Sequence, residues 1–194
     1  MEHEMAKDMT HELTWSDFCQ DDTPWCYFVA APIRSIDQFA RLVDVQQRRS
    51  GGNPVTRILR GWRCLSPAGV HQEWAAALQF PYYFRRVWDG FDECITDLDW
   101  LPASCYTFFA TEVDLVLPDF PRDFSILIDI LQSAASEWKV PNRYNTNEPT
   151  APFTVVFHAE PENAVEALAR LRAAGADPIV SHLSAQFLAN TGER

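Results

Sequence analysis

Four carboxylates recur at helical spacing near the middle of the chain, and clustered carboxylates can bind cations or move protons. They belong to Asp89, Asp92, Glu93 and Asp97. Wound as an α-helix at about 100° per residue, the segment 82–101 places these carboxylates on one side. The opposite, apolar side consists of Phe84, Val87, Trp88, Phe91, Cys94, Ile95 and Leu98.

The acidic side has no nearby cation to neutralise it, because no Lys or Arg lies between Arg86 and Arg122. Like charges this close repel one another and cost stability unless something cationic meets them. The pattern therefore predicts a basic protein partner.

Acid–base catalysis is the other chemistry open to paired acids such as Asp89 and Glu93. Adjacent exposed turns of one helix make no cleft, however, and a catalytic carboxylate needs a partly desolvated pocket. The five histidines lack metal-ligand spacing, and the chain has neither a Gly-rich phosphate loop nor a Gly-x-Ser-x-Gly elbow. We therefore expect a protein that is not an enzyme, with no catalytic residue, metal site or cofactor.

The overall charge also argues against a nucleic-acid or membrane partner. The 194 residues carry a formal net charge of -11, which repels nucleic acid and anionic membranes. Solubility alone is an alternative explanation for an acidic composition. The first residues show no secretory signal and no segment approaches the length of a membrane span, so we expect a cytoplasmic protein.

The cysteines support that compartment. The five of them form an odd set without a Cys-x-x-Cys pair. This spacing argues against a disulfide framework and against a zinc ribbon, and it favours a reducing environment. Cys94, on the apolar side of the acidic helix, is expected to behave as a small hydrophobe.

The elements around the acidic helix alternate between strand-like and helix-like patterns, which predicts an α/β domain with a largely parallel sheet. Strands are predicted at 25–29, 57–64, 113–117, 153–157 and, briefly, from 178. Further helices are predicted after a cap at Ser35, at 67–79, at 123–138 and at 161–174. The inward side of the 123–138 helix is predicted to include Ile126. The first dozen residues are expected to be frayed, and 141–152 to be a loop.

Three short motifs then follow one another in a recognisable order. They are Phe80-Pro81-x-Tyr83-Phe84, Trp88-Asp89-x-Phe91-x-Glu93-Cys94-Ile95-x-Asp97-Leu98 and Trp100-Leu101-Pro102. Preceded by the strand at 57–64 and followed by the elements at 123–138 and 153–157, this order resembles the barstar family of ribonuclease inhibitors. The resemblance covers residues 55–158. It implies a short parallel sheet flanked by helices, and inhibition by an acidic helix and its preceding loop, whose carboxylates replace RNA phosphates in a basic ribonuclease.

The resemblance also implies which residues contact the partner. The family motif at the helix start is similar to Tyr-Phe-Gly-x-Asn-Trp-Asp-Ala, which matches Tyr83 and Asp89, while Arg85 and Val87 replace its glycine and asparagine. Glu93 falls on the second carboxylate position of the family. The predicted partner-binding residues are Tyr83, Asp89, Asp92, Glu93 and Asp97. For a further acidic contact of the family, this chain has Ser133, with Glu137 one turn on.

Together these patterns predict an immunity protein that inhibits a basic ribonuclease or another cationic toxin protein. The alternative is an acidic barstar-like interaction module whose partner is not a ribonuclease. We expect the barstar-like part at 54–159, with an N-terminal βα extension at 1–53 and a C-terminal helical extension at 160–194. All three are expected to form one compact domain.

Overall fold

The computed structural model describes residues 11–140, 150–184 and Phe187. Its strands are β1 (His11–Leu13), β2 (Cys26–Ala30), β3 (Pro54–Arg60), β4 (Cys105–Thr111), β5 (Phe153–Ala159) and β6 (Ile179–Leu183). They form one sheet in the order β1-β6-β2-β5-β4-β3, and all neighbouring pairs are parallel. The prediction of an α/β fold with a parallel sheet is confirmed.

Five α-helices flank this sheet in the described part of the chain. They are α1 (Ile33–Arg49), α2 (Pro67–Leu78), α3 (Trp88–Asp97), α4 (Pro121–Trp138) and α5 (Ala164–Ala173). Helix α1 packs on one face and the other four on the opposite face, so the sheet separates two hydrophobic cores. Successive strand residues alternate between them: Phe108 belongs to the larger core and Phe109 to the smaller.

The chain ends widen this single sheet. Strand β2 lies between β5 and β6, and β1 forms one edge beyond β6. The prediction that the first dozen residues are frayed is wrong for His11 and Glu12, which belong to β1 and pair with β6, whereas residues 1–10 lie outside the described residues. Of the predicted loop at 141–152, residues 141–149 also lie outside them.

The strand predicted at 113–117 is wrong. Val113–Leu115 forms a short 3₁₀ helix, and the strand is β4, which the sequence analysis missed. Glu112, with a φ of 52°, turns the chain as soon as β4 ends. Arg170 of α5 then donates hydrogen bonds to four carbonyls, those of Val113, Asp114, Val116 and Leu117. The apolar run at 113–117 therefore forms a turn, and hydrogen bonds from the Arg170 guanidinium stabilise it.

Some predicted boundaries and faces also differ from the structure. Strand β3 ends at Arg60, and a 3₁₀ helix follows at Gly61–Arg63, where a side chain at Gly61 would collide with the backbone of Glu112. Helix α1 begins after Pro32, and Ser35, the predicted cap, is buried inside its first turn. Ile126 was predicted to face inward but is 38% exposed on α4.

One cysteine pair departs from the expectation. Cys19 and Cys105 form a disulfide, with their Cα atoms 5.2 Å apart, and so join the segment after β1 to the start of β4. Cys26, Cys64 and Cys94 are buried free thiols. Burial, followed by the charges of Glu93 and Asp97, raises the pKa of Cys94 to about 11.

No helix in the described residues has the length and apolar character needed to cross a membrane.

Candidate protein-binding site

Helix α3 is anchored by its apolar side. Phe91, Cys94, Ile95 and the C-cap residue Leu98 are buried in the larger core or against it. The helix is shorter than the predicted segment 82–101, because it begins after Val87, which is 52% exposed and lies at the N-cap without a side-chain cap. Residues 82–87 instead form a loop that leads into it, which we call the binding loop.

The opposite side of α3 presents its carboxylates to solvent. Asp89, Glu93 and Asp97 are exposed and Asp92 is half-buried. In the described part of the chain, no ion pair involves any of the four. The negative charge is therefore uncompensated within the described protein.

Desolvation and neighbouring charge both raise carboxyl pKa values on this surface. Desolvation, followed by the charge of Asp89, raises the pKa of the Asp92 carboxyl. Desolvation, followed by the charge of Asp99, likewise raises the pKa of Asp97. Both shifts mean that these ionised carboxylates are less stable in the folded protein than they would be in water. A cation brought to this surface would relieve that destabilisation.

The binding loop places aromatic residues beside the carboxylates. Tyr82 is fully exposed and Tyr83 is 53% exposed, with their ring centroids 6.0 Å apart. The pKa of Tyr83 is raised by desolvation and then by neighbouring anionic groups, among them Asp97 and Glu93. Tyr83 therefore lies at the edge of the acidic surface, as an exposed amphipathic side chain of the type enriched at interfaces.

Phe84 and Gly90 fix the binding loop against the body of the protein. The Phe84 ring packs edge-on against Phe80, with centroids 4.9 Å apart. A Cβ at Gly90 would lie 2.5 Å from the backbone oxygen of Arg85, so only glycine allows the loop to fold back this closely. The Val87 N–H donates to that same oxygen at 2.7 Å. The binding loop therefore has a defined conformation that these contacts stabilise.

Two tryptophans fix α3 from below. The Trp88 Nε1–H donates to Asp123 Oδ1 of α4 at 2.7 Å, and the Trp138 Nε1–H donates to the Ile95 carbonyl at 3.0 Å. The sequence places Trp88 on the apolar side of the helix, and in the structure it packs half-buried against the larger core. The sequence has no signal for Asp123 as its partner. A carboxylate in the first turn of α4 looks like an ordinary helix-start residue until the fold brings it to the indole.

These contacts bring the predicted site residues to one surface of the protein. The pKa perturbations link Asp92 with Asp89, and Tyr83 with Glu93 and Asp97. Asp99, which the predicted set omitted, adds to the same negative field. Ser133 and Glu137 are exposed on α4. No group of three or more possible metal ligands comes together within the described residues.

The comparisons with known proteins bear on this region. The family model described as Barstar (barnase inhibitor) matches residues 55–158, more than half of the chain and the part that holds the binding loop and α3. No curated protein matches the chain in sequence. The chain is similar to the crystal structure of Cdc6p from Pyrobaculum aerophilum, with 13% identity and a TM-score of 0.48, over 82% of this chain and 38% of that one. That similarity is too distant to support a function.

Proposed function

The chain belongs to the barstar family, and from this premise we propose that it inhibits a basic ribonuclease by seating the binding loop and α3 in the enzyme's active site. One observation carries the proposal. The carboxylates of α3 are unpaired in the described protein and are mounted on a helix that its core side and two indole hydrogen bonds hold in place.

The physical basis is competition for cations. A ribonuclease binds a polyanion, so its active site must offer positive side chains and hydrogen-bond donors. Carboxylates form short, charge-assisted hydrogen bonds with such groups, and an arginine fork accommodates a carboxylate as well as a phosphate. Carboxylates spaced along one helix face can therefore occupy the sites that RNA phosphates would use.

Rigidity makes this competition efficient. Ordering a flexible segment on binding costs about 0.5–1.5 kcal/mol for each mobile side chain that is immobilised. In this chain the binding loop is already folded against Gly90, and Trp88 is already bonded to Asp123. Less ordering therefore remains to oppose association.

Long-range charge should speed the encounter. Complementary potentials bring association to about 10⁸–10⁹ per molar per second at low salt, with barnase and barstar as the standard example rather than a result for this chain. Fast capture matters if the ribonuclease is a toxin made by the same cell. We propose that the chain acts as the immunity protein against such a toxin, in the cell that synthesises the toxin.

The test is an RNA-hydrolysis assay with barnase and with any basic ribonuclease encoded beside this chain's gene. The wild-type protein is expected to abolish hydrolysis near an equimolar ratio. The variant carrying Asp89→Asn, Asp92→Asn and Glu93→Gln is expected to have lost that inhibition. A control with the same charge change, Asp21→Asn, Asp22→Asn and Asp177→Asn, alters exposed carboxylates outside the matched region. Equal inhibition by both triple variants would contradict the proposal.

A second candidate is an acidic interaction module for a non-ribonuclease protein. The observation that favours it is the exposed Arg85 in the binding loop, where the family resemblance implies glycine. In that case, the α3 triple variant would lose a protein partner, while no basic ribonuclease would be inhibited by the wild type.

A further inference from the structure

One side chain of the C-terminal helix α5 reaches into the part of the chain that the family model matches. Arg170 of α5 lies outside the matched residues 55–158, and its guanidinium donates to four carbonyls of the turn at 113–117. Nη1 donates to Val113 and Asp114 at 3.3 and 3.4 Å, and Nη2 donates to Val116 and Leu117 at 2.6 and 2.7 Å. A single guanidinium therefore holds both ends of this turn.

The same guanidinium contacts the first turn of α4. Its Cζ lies 3.8 Å from the centroid of the Phe124 ring, a cation–π contact with a side chain that is 2% exposed. The backbone makes a second connection, because the Phe120 N–H donates to the Leu117 carbonyl at 3.1 Å and the Phe124 N–H donates to the Phe120 carbonyl at 2.9 Å. Arg170 therefore fixes the start of α4 through a ring and through the backbone.

The start of α4 in turn holds the start of α3. Asp123 precedes Phe124 in sequence, and its Oδ1 accepts the hydrogen bond of the Trp88 Nε1–H at 2.7 Å. Trp88 is the first residue of α3, between the binding loop and Asp89. An unbroken series of contacts therefore connects Arg170 with the acidic face of α3.

We propose that Arg170 is a positioning residue of the inhibitory surface: it fixes the first turn of α4, and through the bond between Asp123 and Trp88 it sets the position of the α3 N-terminus. This inference rests on the proposed function and deepens it, because it gives a helix outside the family match a part in inhibition. Arg170 would not touch the ribonuclease. It would hold Asp89 and the binding loop in their bound arrangement before the partner arrives.

The geometry at Arg170 requires a guanidinium rather than any cation. In the described part of the chain no carboxylate forms an ion pair with Arg170, so the carbonyls and the Phe124 ring are what surround its charge. Two terminal nitrogens can donate to both pairs of carbonyls at once, whereas lysine has one nitrogen. Arg170→Lys is therefore expected to replace only part of the contact.

The first test needs no partner and compares two indoles. The Trp88 N–H reports the start of α3, and the Trp138 N–H, which donates to the Ile95 carbonyl at 3.0 Å, reports its other end. Hydrogen exchange of both would be followed by NMR. In Arg170→Met, the protection of Trp88 relative to Trp138 is expected to fall about tenfold, corresponding to one lost hydrogen bond, and in Arg170→Lys by about threefold.

Leu168→Ala is the matched control, a buried change on the same helix. It is expected to lower the melting temperature while leaving the ratio of the two indole protections unchanged. An equal fall at both indoles in Arg170→Met, or the same change of ratio in Leu168→Ala, would overturn the inference, because Arg170 would then act on overall stability alone. If Arg170→Met does not fold, an unchanged ratio in Arg170→Lys would overturn it.

The second test uses barnase as the probe. Arg170→Met is expected to speed dissociation about tenfold with little change in association rate, whereas Leu168→Ala should dissociate like the wild type. Wild-type dissociation of Arg170→Met would overturn the inference. If the wild type did not bind barnase, the proposed function would fail for that enzyme, while the indole exchange would still decide whether Arg170 positions α3.

Discussion

At the scale of single residues, substitutions of the exposed α3 carboxylates are expected to weaken binding with little effect on folding. Asp89 and Glu93 are exposed and make no ion pair within the described residues, so truncating them removes little from the folded protein. We expect Asp89→Ala and Glu93→Ala each to weaken barnase binding by about 2–5 kcal/mol, the cost of leaving a buried cation of the partner unpaired. Their free energies of unfolding should change by no more than about 0.5 kcal/mol.

Titration calorimetry and urea denaturation of the same samples would check both parts. Wild-type affinity in both variants would show that the partner does not bind these side chains. A loss of affinity matched by an equal loss of stability would show a structural role instead.

Asp92 should show the opposite balance between stability and binding. Its raised pKa reports desolvation and the nearby charge of Asp89, so its ionised form destabilises the free protein. We expect Asp92→Asn to increase the free energy of unfolding at pH 7 by about 0.2–0.5 kcal/mol while weakening binding to barnase. An acid with a raised folded pKa destabilises fully above that value, and the difference between variant and wild type should disappear below pH 3.8.

Thermal unfolding between pH 3 and pH 7 would measure this difference. A variant less stable than the wild type at pH 7 would mean that Asp92 has a stabilising contact that outweighs the repulsion.

At the scale of elements, the sequence predicts the buried side of α3 well and its beginning poorly. Helical spacing alone identifies Phe91, Cys94 and Ile95 as core residues. The start at Trp88 depends on a close backbone approach over five residues, because the chain folds back at Arg85 and closes against Gly90. Helical spacing of apolar residues carries no signal for that approach.

The same reasoning explains the missed strand β4. The segments Cys105–Thr111 and 113–117 are both apolar runs of strand-like composition. Their conformations differ because Arg170, more than fifty residues away in sequence, donates hydrogen bonds to the carbonyls of the second run. The burial of both runs is predictable from their composition, but their conformations depend on that distant side chain.

Gly90 provides a test of how the loop is held. In Gly90→Ala, the new Cβ would lie 2.5 Å from the Arg85 backbone oxygen, so the binding loop must move away from α3. We expect a loss of about 1–3 kcal/mol in unfolding free energy, together with weaker binding to barnase. Urea denaturation and NMR shifts of residues 82–87 would measure the two effects. Wild-type stability with unchanged loop shifts would contradict this packing.

At the scale of the whole molecule, the flanking segments complete a sheet that the family-matched part does not form alone. Strand β2 pairs with β5 over five residues, and β6 and β1 follow on its other side. Alternating patterns predict a parallel sheet but not this strand order, because nothing local indicates that β2 lies beside β5. The disulfide could not be predicted from the sequence either, since an odd cysteine count is compatible with one bonded pair and three free thiols.

The disulfide should stabilise the whole fold. It links the segment after β1 to β4 across 86 residues of sequence and so restricts the unfolded chain. We expect Cys19→Ser to lower the free energy of unfolding by about 2–4 kcal/mol without affecting inhibition of barnase. A reductant should destabilise the wild type to the same extent and leave the variant unchanged. Equal stability of the two proteins under oxidising conditions would be the contrary result.

The central claim is that the acidic face of α3 occupies the site where a ribonuclease binds RNA. Its most direct measurement is a competition between this chain and a short, non-cleavable oligonucleotide for barnase, followed by fluorescence anisotropy of the labelled oligonucleotide. The account predicts mutual exclusion: the protein displaces the oligonucleotide completely, and the Asp89, Asp92 and Glu93 triple variant does not. A stable ternary complex, with the oligonucleotide still bound at saturating wild-type protein, would contradict it.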